Sequence, residues 1–124
     1  MAARRLYLGR AERTTKAGAV LLSANHLTFL HGLLDRPNGL ARSYRDLLTA
    51  SVPYALALGY RPRYIAYSLQ TINLRLIDRR SVGNRVECQL TDRGRAILNG
   101  SVLAHVIGLG EYKGFRALRA KAKR

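Results

Sequence analysis

Residues 61–76, RPRYIAYSLQTINLRL, leave few alternatives to an amphipathic helix, and that constraint organises the rest of the chain. Ile65, Leu69, Ile72 and Leu76 recur at i, i+4, i+7 and i+11, which makes one apolar stripe for a core to cover. Pro62 suits the first turn, where a missing N–H costs nothing. The opposite face carries Arg63, Tyr64, Tyr67, Gln70 and Thr71, side chains that donate to phosphates, reach base edges or lie against sugars. No carboxylate occurs between Asp46 and Asp78. Such a face meets a polyanion without repelling it.

Net charge gives that face its context. The 124 residues hold 22 Lys and Arg against 7 Asp and Glu, a formal charge of +15, so the surface repels itself and attracts a polyanion, with nucleic acid as the default partner. A hydrophobic content of 48% separates the chain from disordered basic tails and supports one packed domain. Eighteen of the basic residues are Arg, whose planar fork suits bidentate phosphate or guanine contacts; a GC-rich or thermophilic source produces the same bias. Cys88 stands alone, which rules out an internal disulfide and a cysteine-based zinc site. No run reaches the roughly 18 apolar residues of a membrane span, and the Arg-rich start lacks a clear cleavage site for a targeting peptide. A cytoplasmic, nucleoid-associated protein is expected.

In chain order, residues 1–16 read as a basic arm that either lies along phosphates or merely solubilises the terminus. Residues 17–35 are apolar around most of a helical circumference. A helix of that kind must be covered on most sides by its own domain or by a second subunit. Arg36, Pro37, Asn38 and Gly39 predict a turn, and Ser43 an N-cap with Asp46 at its third position. Pro53 and the Gly59-Tyr60-Arg61-Pro62 sequence punctuate the chain after this cap. Five of the seven tyrosines fall within residues 44–67, to stack on bases or to fill core gaps.

After the amphipathic stretch, Gly83-Asn84 between Val82 and Arg85 predicts a tight hairpin. The turn fixes the register: Arg80 opposes Glu87, Asp78 opposes Gln89, and Val86, Cys88 and Leu90 alternate onto an apolar face. Arg79, Arg80 and Arg85 then gather where they can grip a phosphate backbone, unless Glu87 occupies one of them. Thr91 caps a last helix expected to end near Gly108, with Leu98, Val102, Val106 and Leu109 in one stripe and Ala96, Leu103 and Ile107 in another. The two stripes exceed what one small domain usually requires. Beyond Gly110 the chain reads as a basic tail.

The order helix, turn, helix, hairpin, Thr-capped helix resembles the winged helix-turn-helix domain. NLRLIDRRSVGNRVECQLTDRGRAIL is similar to the wing region of MarR- and PadR-type transcription regulators, down to the Leu90-Thr91-Asp92-Arg93-Gly94 turn, and the likeness spans roughly residues 40–98. The resemblance implies a mainly α fold with a small β-hairpin, an α+β winged helix over residues 17–109 with flanking dimerisation helices. It assigns Arg61, Arg63, Tyr64, Tyr67, Ser68 and Thr71 to a recognition helix and Arg79, Arg80 and Arg85 to the wing. It also implies a homodimer that binds double-stranded DNA. The stretch VPYALALGYRP exceeds the family's tight turn, so either the second helix runs on or a loop is inserted.

Two neighbouring readings use the same residues: an RNA-binding or ribosome-associated winged helix, and a chromatin-like protein that binds duplexes without sequence preference. Catalysis is not expected and no cofactor is called for. His26, His31 and His105 lack metal-ligand spacing, the acids are scattered, and no phosphate-cradling or nucleophile motif occurs. His31 and Asp35, four apart, read as a surface or core-edge pair.

Overall fold

Ser23 divides two elements that the sequence merges. In the computed structural model, which describes residues 4–5, 14–59 and 75–112, its backbone is extended and its hydroxyl accepts the His26 amide N–H at 3.2 Å. Before it lies strand β2 (Val20–Leu22), after it helix α1 (Ala24–Leu34). The single helix expected over 17–35 is therefore corrected. Val20 and Leu22 are buried with Leu21 between them, the period of a strand, and β2 pairs in parallel with β6 (Ala104–Val106). Over three apolar residues, strand and helix periods look alike.

Residues 26–33 of α1 are all buried, chiefly under α2 (Tyr44–Ala57), α3 (Asp92–Leu98) and β5 (Arg85–Leu90). Its own domain covers this helix. Residues 36–39 form the expected turn, with a short 3₁₀ segment (Pro37–Gly39) leading into β3 (Leu40–Ala41). Ser43 then caps α2 by accepting the Asp46 N–H at 3.1 Å, while the Asp46 carboxylate accepts the Arg42 N–H at 3.0 Å. The first bond satisfies one of the donors that the helix start leaves open, and the second ties the residue before the cap back onto the first turn. Contrary to expectation, Pro53 does not interrupt the helix: buried Leu47, Ser51, Tyr54 and Ala55 hold the turns on both sides of it against the core. α2 runs on as far as Ala57, and the rest of the long connection lies outside the described residues.

The hairpin forms in the expected register. β4 (Ile77–Val82) and β5 turn at Gly83, whose φ of +63° suits glycine, with Arg80 opposite Glu87 and Asp78 opposite Gln89. It is no isolated ribbon, however. β3 adds to β5 (Ala41 opposite Cys88), and β1 (Arg4–Arg5) adds to β4 (Arg5 opposite Arg80), giving a sheet of order β1-β4-β5-β3. The N-terminal arm thus contributes a strand.

Thr91 caps α3, accepting the Gly94 N–H at 3.1 Å. That helix stops at Leu98, not near Gly108. Gly100 turns the chain with φ +84°, and the Ser101 and Val102 amides return to the Ala96 carbonyl. The chain continues into β6, a turn, and β7 (Gly110–Glu111), which with β2 make a second sheet of order β2-β6-β7. The two helical stripes expected from Ala96 onward dissolve into strand alternation, Ala104 and Val106 inward, Leu103 and Ile107 outward. So the described residues form an α+β fold with more β-structure than one hairpin. Among them no helix is long and apolar enough to cross a membrane.

Candidate nucleic-acid interface

Strand alternation sorts the hairpin arginines. In β4, Ile77 and Arg79 face inward while Asp78 and Arg80 face outward, because successive residues of a strand point to opposite faces. Arg80 is exposed and ion-paired with Asp78 at 3.1 Å. Arg85, at the turn, is exposed.

Arg79 departs from the expectation of a phosphate contact. It is 1% exposed and stands opposite Cys88, close enough to the Tyr44 phenol at the start of α2 for the two groups to shift each other's titration. Burial lowers the Arg79 pKa, against the opposing pull of Tyr44 and Cys88. Burial likewise raises Tyr44, with the Arg79 cation pulling the other way. Arg79 lies on the buried face of β4 with Cys88, not on the face open to a phosphate backbone.

Cys88 shares that interior. It is fully buried, and desolvation pushes its thiol from 9.0 up to about 12 although Arg79 lies near. In the native protein at pH 8 the thiol should therefore resist a disulfide reagent that titrates it at once in denaturant, and rapid native labelling would contradict its placement. Between about pH 9 and about pH 12 the unfolded chain loses this proton while the folded chain keeps it, so the Cys88 contribution to stability falls across that interval.

The hairpin is fastened to the end of the amphipathic stretch. The Thr91 N–H donates to the Leu76 carbonyl at 3.1 Å, and the Thr91 hydroxyl donates to the same oxygen at 3.0 Å and also meets the Arg75 carbonyl. A Cβ at Gly94 would lie 2.6 Å from the Leu76 oxygen, so this crossing admits only glycine without a shift. The Leu-Thr-Asp-Arg-Gly turn therefore fixes three things together: the last residues of the stretch, the far strand of the hairpin and the start of α3. Arg61, Arg63, Tyr64, Tyr67, Ser68, Gln70 and Thr71 lie outside the described residues.

Three further arginines, Arg42, Arg45 and Arg75, are exposed although the sequence patterns did not single them out. Arg42 comes directly after β3, the neighbour of β5, and Arg45 sits in the first turn of α2. A signal existed in the Ser43 cap, which places both near a helix start where backbone N–H groups already favour anions.

His31 is not a surface residue, as a surface pair with Asp35 would require. His31 is fully buried, stacked on Tyr54 with ring centroids 4.8 Å apart, and its Nε2 lies 2.9 Å from the Tyr112 hydroxyl; the Tyr54 hydroxyl bonds instead to Asp35. Tyr112, just past β7, thereby locks the second sheet to α1. Among the described residues no three His, Cys, Asp or Glu side chains gather as a metal-holding group. No protein-family model, curated protein or solved structure matches this chain.

Proposed function

We propose that the chain is a winged-helix protein that binds double-stranded DNA at specific sequences and regulates transcription by occupying them. The observation that carries this reading is the Thr91–Leu76 junction, which ties an outward-facing arginine hairpin to the end of an acid-free amphipathic stretch. In the proposed complex, residues 61–76 enter the major groove, where Arg63, Tyr64, Tyr67, Gln70 and Thr71 meet base edges and phosphates. Arg80 and Arg85 hold the backbone from the hairpin, with Arg42 and Arg45 as further phosphate contacts. Bound protein then excludes or recruits polymerase.

The experiment is a comparison of duplex DNA with structured RNA at matched salt, read by filter retention. Tighter retention of the duplex is expected, with log affinity falling against log salt at a slope of about −5 if about six phosphates are neutralised. Tighter retention of RNA would replace this reading with an RNA-binding one. Equal affinity for every duplex would favour an architectural role.

A further inference from the structure

We infer that the N-terminal strand completes the phosphate-gripping face of the hairpin, with Arg5 as a further contact to the nucleic-acid backbone; this rests on the duplex-binding reading and adds a residue to the same interface.

Alternation divides the charges of the hairpin. Asp78 and Arg80 of β4 share the outward face with Arg85, Glu87 and Gln89 of β5, because partners in the register lie on the same side of a sheet. Arg79 is buried on the inward face. The outward face of these two strands thus holds two cations, Arg80 and Arg85, against two anions, Asp78 and Glu87. Arg80 lies 3.1 Å from the Asp78 carboxylate and directly opposite Glu87 in the register. A ribbon so evenly balanced has little pull on a polyanion, since attraction at a distance needs an excess of one sign.

β1 supplies the excess. It adds antiparallel to the edge of β4 that β5 leaves free, with Arg5 opposite Arg80 and Arg4 opposite Ser81. The register therefore puts position 5 in one cross-strand row with Arg80 and Glu87, on the outward face. Position 4 falls in the next row, with Ser81 and Val86, on the other face. With β1 in place, three arginines stand against two carboxylates.

Edge protection by itself does not select this pairing. Charged residues do keep a sheet edge from pairing with other chains, but an arginine directly opposite another arginine weakens the strand pair that it belongs to. A phosphate between the two relieves that repulsion, because each guanidinium can donate to it through charge-assisted hydrogen bonds. The bound backbone and the strand then support each other.

Anisotropy titrations of a labelled duplex over a range of salt test the inference, with thermal melting as the control for folding. Arg5→Gln keeps the backbone pairing of β1, so it should leave the melting temperature unchanged, lower the salt slope by about one and weaken binding about tenfold near 0.1 M salt. Arg4→Gln removes the same charge from the other face and should alter the slope much less. Should Arg5→Gln melt early, Arg5→Thr, neutral and suited to a strand, takes its place with the same expectation. A wild-type slope in the folded position-5 variant would reduce β1 to an edge cover and overturn the inference. Equal losses in Arg4→Gln and Arg5→Gln, the mark of a general charge effect, would overturn it as well. Arg85→Ala reports on the duplex-binding reading itself: a slope lowered there and unchanged in Arg5→Gln leaves that reading standing without this residue, whereas a wild type that binds no duplex removes both.

Discussion

Arg79→Ala is expected to cost about 3 kcal/mol of folding stability, the usual scale for emptying a large buried side-chain site, and to leave the salt slope of duplex binding unchanged. Arg85→Ala should do the reverse. Arg79 is 1% exposed, on the inward face of β4 opposite Cys88, so its removal opens a cavity in the interior. Arg79→Met, which fills the space without charge, should lie within about 1 kcal/mol of wild type, because an apolar replacement escapes the desolvation that a buried cation suffers. Arg85 is exposed at the hairpin turn, so its loss touches nothing in the core. If it meets one phosphate, its removal lowers the salt slope by about one and the affinity about tenfold near 0.1 M salt, equally on all sequences. Urea unfolding and anisotropy titrations over salt separate the two kinds of effect. A weakened salt slope in Arg79→Met would contradict the assignment of Arg79 to the interior.

The second large effect is expected at the crossing of α3 over the end of the amphipathic stretch. Gly94 lies inside α3, where alanine ordinarily gains about 1 kcal/mol of helix propensity. Here the added Cβ would meet the Leu76 carbonyl oxygen at 2.6 Å and the Leu90 side chain at 2.7 Å. Relief requires moving a backbone carbonyl that already accepts the Thr91 N–H and hydroxyl, so overpacking of about 3 kcal/mol outweighs the propensity. A net loss of about 2 kcal/mol lowers the melting temperature by about 10 °C for a domain of this size. An unchanged or raised melting temperature would mean that Leu76 does not lie under Gly94.

The features legible in the sequence are those whose chemistry is local. Ser43 and Thr91 bond to amides three residues on, and Gly83-Asn84 sets a register that runs the length of both strands. The inward course of Arg79 was legible too. It opposes Cys88 in that register, and Cys88 belongs to the apolar face, so the alternation that places one inside places the other there. Proximity in sequence groups the three arginines into one basic cluster; alternation separates them. The second sheet had no local signal. Val20 meets Ala104 and His31 meets Tyr112, 81 residues further on, and short apolar runs such as VLL and AHV fit either period. Gly100 was the one available cue that the last helix ends early. Nor does a residue pattern say whether a nearly all-apolar helix is covered by its own chain or by another; in α1 packing against α2 decides it.

The central claim is that this chain reads sequence in a duplex through residues 61–76 while the hairpin holds the backbone. Its most direct test is repeated selection of bound duplexes from a random pool, run in parallel with wild type and Arg63→Ala. The account expects a defined consensus for wild type and a degraded one for Arg63→Ala, with both proteins equally folded. A wild-type pool that stays random after several rounds, or one whose consensus survives the substitution of Arg63 together with Tyr67, would contradict it.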